Sequence, residues 1–262
     1  MVNEFFAYSR QAIANDFEAG RCGAAHNREM AVSCFTQFVG GKDVAIKDLS
    51  PYLMMQFEDW LMANGRKEST ARFYLNQIYA IYNLAVKDGV APKLRLLKGI
   101  KATIPAKRKR ELLTEDELRR MRYADMSDSE SMALARDIFF FSIYGHGISF
   151  TDIAHIKKSD INGFSLTYTS QVANKPRITV QWDAAMQHIA DRYPSDTDFL
   201  FPFVSSENEI KASREVKRAR ENIINAFKQI AVRCNLSVVP SLYMVKDIYQ
   251  RAIDSVSVSK II

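Results

Sequence analysis

The sequence predicts a mainly α-helical protein with a small antiparallel β hairpin or sheet in its second domain. Residues 1–92 contain four apolar-periodic segments, which predict a helical first domain. Residues 93–110 are basic and interrupted by proline and glycine, as is typical of a linker. Residues 111–262 form the second domain, where two β-rich runs at 164–169 and 177–182 flank a turn.

The helices of the first domain are predicted from apolar spacing and from residues that begin helices. Apolar positions at helical spacing predict helices over residues 3–19 and 24–39. Ser50 is a good N-cap and predicts a third helix. Ser69 or Thr70 caps a fourth. Four helices in this length of chain predict a compact bundle.

The second domain shows five further helical segments. Thr114 opens the first of them, with acidic residues in the first turn that suit the helix dipole. Residues 129–144 are strongly apolar and predict a buried helix, and helices are also expected over 183–193, 211–234 and 240–252. Aromatic residues in the apolar runs are interpreted as core rather than as base-stacking groups: Phe139, Phe140, Phe141, Tyr144, Phe150, Phe199, Phe201 and Phe203.

Positive charge is distributed unevenly along the chain. The formal net charge is +6 and the pI about 9.1. Residues 98–110 carry six basic groups and no acidic one, whereas residues 111–204 carry nine basic and 14 acidic groups. Clustered positive charge favours a polyanionic partner, most simply nucleic acid. The alternative at this point is a solvated linker that is basic for no functional reason.

Several protein classes lack support in the sequence. No apolar run is long enough for a membrane span and no signal peptide is recognisable, so a cytoplasmic protein without membrane contacts is expected. Cys22, Cys34 and Cys234 form no CxxC pair, and the four histidines are scattered, so no metal site is expected. Phosphate-cradling glycine loops are also missing, and we expect no cofactor.

Two long segments together resemble a known family. They read ESTARFYLNQIYAIYNLAVKDG, ending at Gly89, and LARDIFFFSIYGHGISFTDIAHIKKSDI, ending at Ile161. The first is similar to the SAM-like core-binding domain of tyrosine recombinases (phage integrases), especially those on mobile elements of Bacteroides-type bacteria. The second is similar to the start of their catalytic domain. The resemblance implies a DNA-binding protein of DNA integration and recombination, with double-stranded DNA as its partner.

In that family a tyrosine attacks the scissile phosphate while two arginines, a histidine and a lysine stabilise charge. The resemblance implies that the first arginine position is His146, in the segment HGISF. The hairpin lysine position falls at Val172, and Lys175 lies nearby but out of register.

The second catalytic segment of the family usually reads Tyr-x-x-Arg-His. Here it reads Tyr243-Met-Val-Lys246-Asp247, so lysine replaces the arginine and aspartate replaces the histidine. The resemblance implies that the downstream Gly-His segment and the nucleophilic tyrosine lie beyond residue 262 and are absent. Tyr249 corresponds to an aromatic packing position.

These replacements predict a DNA-binding protein without catalytic activity, a pseudoenzyme. Two alternatives stay open: an active integrase whose C-terminus is missing here, or a helical module that reuses the fold for protein contacts. The resemblance also implies a bacterial, nucleoid-associated protein that meets other recombinase protomers on DNA and is monomeric in solution. Loss of the last helices predicts exposed apolar surface at Met244, Val245 and Ile248.

Candidate DNA contacts are cations and hydroxyl groups near the expected interface. The basic face at Lys211–Arg220 is either a further backbone contact or a solvated helix face. The DNA-binding candidates are Arg66, Lys67, Ser69, Thr70, Arg72 and Tyr74 in the first domain, Lys101, Lys107, Arg108, Lys109 and Arg110 in the linker, and Lys157, Lys158 and Lys175 in the second domain.

Overall fold

A computed structural model describes residues 4–102, 111–171 and 176–254. The chain divides into two compact units, residues 1–108 and 109–262. Each unit has its own hydrophobic core. The predicted fold class is confirmed: the described residues are mainly helical and contain one small antiparallel sheet.

The first unit is a bundle of four helices. Phe35 and Phe57 lie at the centre of its core, with ring centroids 5.0 Å apart. Ser50 accepts a hydrogen bond from the Leu53 amide, as expected for the predicted N-cap. The helices are α1 (Phe5–Glu18), α2 (Cys22–Phe38), α3 (Pro51–Ala63) and α4 (Glu68–Lys87).

The fourth helix begins earlier than expected. Its first residue is Glu68 and Lys67 occupies the N-cap position, so the predicted cap at Ser69 or Thr70 is wrong. Both hydroxyl residues lie inside the first turn instead, where the Thr70 amide donates to the Lys67 carbonyl. Serine and threonine are common in this turn as well as at the cap, and their presence alone does not distinguish the two positions.

The second unit consists of six helices around a three-stranded sheet. Phe141 and Phe201 meet edge to face in its core, at 5.0 Å and 89°. The eight aromatic residues that the sequence assigns to the core are all buried. The helices are α5 (Glu115–Tyr123), α6 (Glu130–Tyr144), α7 (Phe150–His155), α8 (Ala184–Arg192), α9 (Glu209–Arg233) and α10 (Val245–Asp254).

The sheet is an antiparallel meander. Its strands are β1 (Ile161–Asn162), β2 (Ser165–Thr169) and β3 (Arg177–Gln181), in that order across the sheet. Leu166 of β2 pairs with Val180 of β3, and both side chains are buried. The short elements α7 and β1 were not predicted, because six and two residues are too few to show periodicity.

Helix α10 corrects two expectations. It begins at Val245 rather than near residue 240, so Tyr243 precedes it. Met244, Val245 and Ile248 are buried, 5% exposed or less, so the predicted apolar surface at these residues is wrong. The physical reason is that α10 packs against the apolar helix α6 and turns these side chains into the core.

Candidate nucleic-acid interface

Two segments far apart in sequence meet in the second unit. The first is the turn His146-Gly147 after α6, and the second is the first turn of α10. Gly147 has a φ of 87°, and a Cβ atom placed on it would lie 3.1 Å from the Cα atom of Lys246. The backbone of one segment therefore lies directly against the other. The structure thus brings together the two positions at which the family resemblance implies arginines.

His146 has an unusual backbone conformation for a residue with a side chain. Its φ is 62°, in the left-handed region, where histidine is among the more tolerated non-glycine residues. The turn is held by the Gly147 amide, which donates to the Ser142 carbonyl at 2.7 Å. The exposed imidazole stacks on the ring of Tyr249, with centroids 4.7 Å apart and 22° between the planes. Tyr249 is therefore a packing residue for His146.

The α10 side of this meeting point carries charged side chains at the surface. Lys246 and Asp247 are both exposed, and Tyr243 is 64% exposed. In the described part of the chain, the Lys246 ammonium group has no hydrogen-bonding or ionic partner. Asp247 lies in the first turn of α10, where a negative charge stabilises the helix dipole. Asp247 therefore has a structural role that is independent of any phosphate.

Asp152 anchors the strand that leads towards the hairpin lysine position. Its buried carboxylate accepts hydrogen bonds from the Gln171 amide at 2.6 Å and from the Ser170 hydroxyl at 3.1 Å. It also accepts one from the hydroxyl of Ser149, the N-cap of α7, at 2.8 Å. Burial, together with the charge of Asp152, raises the pKa of Tyr168 to about 12. The end of β2 is thereby tied to α7, although Val172 and Lys175 themselves lie outside the described residues.

The two candidate lysines after α7 already have partners within the protein. The Lys158 ammonium group donates to the Ser195 carbonyl at 2.7 Å. The Lys157 ammonium group lies 5.8 Å from the centroid of the Phe199 ring and 3.9 Å from the Glu207 carboxylate. A phosphate contact would compete with these interactions.

Helix α9 contacts α7 through one arginine of its basic face. The Arg220 guanidinium donates to the Thr151 hydroxyl at 2.5 Å and lies 5.9 Å from the Phe150 ring centroid. This residue is half-buried and joins the two helices. Four other cations of the same helix are exposed: Lys211, Arg214, Lys217 and Arg218.

The first unit presents its candidate residues where α4 begins. Arg66 and Lys67 are exposed, Ser69 is exposed, and Arg72 and Tyr74 are half-buried along α4. Burial raises the pKa of the Cys34 thiol, against the opposing effect of the positive charge on Arg66. A cavity of about 340 Å³ lies here, lined by Glu29, Met30, Ser33, Cys34 and Gln37 of α2 and by Arg66 and Tyr74.

The end of the first unit is fixed by a buried carboxylate. Glu58 accepts hydrogen bonds from the backbone amides of Lys101, at 3.1 Å, and Ala102. The Lys101 side chain is exposed. Four of the predicted linker contacts lie outside the described residues: Lys107, Arg108, Lys109 and Arg110.

Sequence reasoning missed Asp152, Tyr249 as the partner of His146, and the bond from Arg220 to Thr151. Each acts through a contact between distant parts of the chain, and the sequence pattern carries no signal for such contacts. No group of three or more potential metal ligands occurs among residues 4–102, 111–171 and 176–254. Over the same ranges, no helix is long and apolar enough to cross a membrane.

Comparison with known proteins explains the arrangement. Residues 4–98 match the family model of the phage integrase SAM-like domain. A λ integrase dimer bound to a COC′ core site superimposes with a TM-score of 0.61 at 15% identity, over 98% of this chain and 93% of that one. The chain has the fold of the tyrosine recombinases. The predicted resemblance is thus confirmed.

Two other recombinase structures show the same fold. The Tn1549 transposon integrase in complex with circular-intermediate DNA has a TM-score of 0.61 at 9% identity, covering 97% of this chain and 88% of that one. XerH recombinase bound to its difH substrate has a TM-score of 0.55 at 13% identity, covering 91% and 73%. No curated protein sequence matches this chain.

Proposed function

We propose that this recombinase-fold protein binds double-stranded DNA and does not cleave it. The observation that carries the proposal is the meeting of His146-Gly147 with Lys246, because this is where the fold would place two arginines around a phosphate. The integrase and XerH structures with this fold are complexes with DNA, which supports the DNA partner.

The residues at the meeting point explain why binding would persist without cleavage. An arginine holds a phosphate with two parallel hydrogen bonds, whereas a lysine offers only a point charge and a neutral histidine only one donor. Asp247 adds a negative charge that repels a phosphate. Removing a single preorganised charge stabiliser costs about 10²–10³ in rate. Replacement of several together leaves residual electrostatic attraction but little stabilisation of a transition state.

The candidate contacts predict binding that depends mainly on the phosphate backbone. Lys and Arg side chains at the start of α4, in the linker and beside α7 would supply the charge. Such binding weakens linearly with the logarithm of the salt concentration, with a slope of about −0.9 for each phosphate neutralised. Discrimination between sequences should be small, because phosphate contacts carry no base information.

Its biological setting follows the same reasoning. The λ integrase structures include a dimer on a core site and a tetramer on a Holliday junction. By analogy, this chain would lie beside other recombinase protomers on DNA of a mobile element, at the bacterial nucleoid in the cytoplasm. The monomeric state in solution stays a prediction, and light scattering of the DNA-free protein tests it.

The test is fluorescence anisotropy with a labelled duplex at several salt concentrations. We expect binding that weakens steeply with salt. Replacing both Arg66 and Lys67 by alanine should weaken binding and reduce the steepness of the salt dependence. A matched control is Lys42→Ala, which removes an exposed lysine outside the candidate set and should leave binding unchanged. Absence of binding at low salt would favour the protein-interaction module instead.

A further inference from the structure

His146 differs in kind from the other cation at the meeting point. Lysine carries its charge throughout the physiological pH range, whereas histidine side chains gain and lose theirs between about pH 5 and 8. The imidazole is exposed, and within the described residues neither ring nitrogen has a hydrogen-bonding partner. Both nitrogens are therefore available to a ligand from solution.

The stack on Tyr249 fixes the plane of the imidazole. Rings 4.7 Å apart and inclined by 22° leave the edge of the imidazole, with its two nitrogens, free of the tyrosine ring. The face of a tyrosine ring also attracts a cation. The stack therefore both orients His146 and stabilises its protonated form.

The neighbouring charged groups act in opposite directions. Lys246, whose backbone touches Gly147, disfavours a second positive charge, while Asp247 next to it favours one. The carboxylate of Asp152 is buried and already accepts three hydrogen bonds from other residues. The titratable and charged side chains on the surrounding elements are Lys246, Asp247, Tyr249 and Arg251 of α10, Tyr144 of α6, Arg122 of α5, whose guanidinium lies 5.6 Å from the centroid of the Tyr144 ring, and Asp152 and His155 of α7.

We infer that His146 and Lys246 form a backbone-phosphate site in which His146 acts as a ligand in its protonated form, so that duplex binding tightens as the pH falls. The inference rests on the proposed DNA binding. A neutral imidazole has one N–H donor and one acceptor, and the acceptor repels a phosphate oxygen. The protonated ring has two donors and a full charge, and it makes stronger, charge-assisted hydrogen bonds.

The experiment measures duplex affinity by anisotropy between pH 5.5 and 8.0 at constant ionic strength. For the native chain we expect affinity about five- to tenfold higher at pH 5.5 than at pH 8.0, as for one added charge-assisted contact. The slope of log affinity against log salt should steepen by about 0.9 at pH 5.5, for one further phosphate.

Three variants assign the effect to one side chain. His146→Asn keeps a residue that tolerates the left-handed backbone but cannot ionise, and it should bind at all pH values like the native protein at pH 8.0. His146→Arg is charged throughout and should bind tightly with a much smaller pH dependence. His188→Asn is the matched control, since His188 is exposed on α8, and it should keep the full native pH dependence.

The outcomes separate this inference from the proposed function. Duplex binding with the same pH dependence in the native chain and in His146→Asn would overturn the inference and leave the proposed function standing. Loss of the pH dependence in His188→Asn would also overturn it. No duplex binding by the native chain at pH 5.5 and low salt would overturn both. Circular dichroism of each variant shows whether it has folded.

Discussion

At the residue scale, the meeting of the two segments depends on Gly147. Its positive φ and the 3.1 Å approach of a virtual Cβ to the Cα of Lys246 leave no room for a side chain. A glycine is required here for two independent reasons, backbone conformation and close packing. Gly163 in the β1–β2 turn meets only the first, with a φ of 59° and nothing within 4 Å of its virtual Cβ.

Comparing alanine at these two glycines separates the two reasons. We expect Gly163→Ala to lower the free energy of unfolding by about 1–2 kcal/mol, the cost of left-handed backbone for alanine. Gly147→Ala should cost about 2–4 kcal/mol, since displacement of α10 adds to that term. Urea denaturation measures both. Equal losses in the two variants would show that α10 does not press on Gly147.

Glu117 is a second residue with a definable energetic role. It accepts hydrogen bonds from the Thr114 amide at 2.8 Å and from the Ser237 amide at 2.6 Å, which joins the start of α5 to the segment before α10. Burial alone would raise the pKa of Glu117, but the hydrogen bonds from Thr114 and Ser237 outweigh it and lower the pKa from 4.5 to about 2.

The sign of the resulting pH dependence follows from this lowered pKa. The ionised form of Glu117 stabilises the folded state above pH 4.5, and this contribution is lost as the pH falls from 4.5 to about 2. We expect Glu117→Gln to reduce the free energy of unfolding by about 1–3 kcal/mol at pH 7 and by much less near pH 2. Glu115→Gln, at an exposed position in the same turn, is the control. A loss that is the same at both pH values would contradict the assignment.

At the scale of elements, Asp152 links β2 to α7. The Gln171 amide is the last described group before residues 172–175, and its hydrogen bond to Asp152 fixes where the strand ends. An element as short as α7 gains most of its stability from such contacts rather than from helix propensity.

Replacing Asp152 by asparagine should loosen this link. An amide keeps one acceptor oxygen but not the charge, so we expect a loss of about 1–3 kcal/mol and faster hydrogen exchange at the Gln171 amide. The control is Asp160→Asn, where the carboxylate accepts from the Lys157 amide and does not touch Gln171. Unchanged exchange at Gln171 in Asp152→Asn would refute the role.

Elements with a recognisable beginning were predicted best from sequence. Ser50, Thr114 and Ser129 are N-caps in the structure, and α3, α5 and α6 begin where those residues indicate. Helix α10 was placed too early, because nothing local distinguishes residue 240 from residue 245 as its start. In α4 two hydroxyl residues in the first turn mimicked a cap.

At the scale of the whole molecule, the order of helices and strands predicted a recombinase fold, and the comparisons confirm it. The positions of His146, Lys246 and Asp247 were identified by resemblance to the family motifs. Their meeting in space was not predictable from apolar periodicity, because packing of α10 on α6 produces it. The same packing buries the apolar residues of α10 that the sequence suggested would be exposed.

The central claim is that this fold binds DNA without cutting it. The most direct measurement is a denaturing gel of the protein incubated with a nicked suicide duplex, at a protein concentration that anisotropy shows to be saturating. A tyrosine recombinase that cleaves such a substrate stays covalently attached to it. The account predicts saturated binding and no covalent protein–DNA species. A covalent species that forms with the native chain would contradict it.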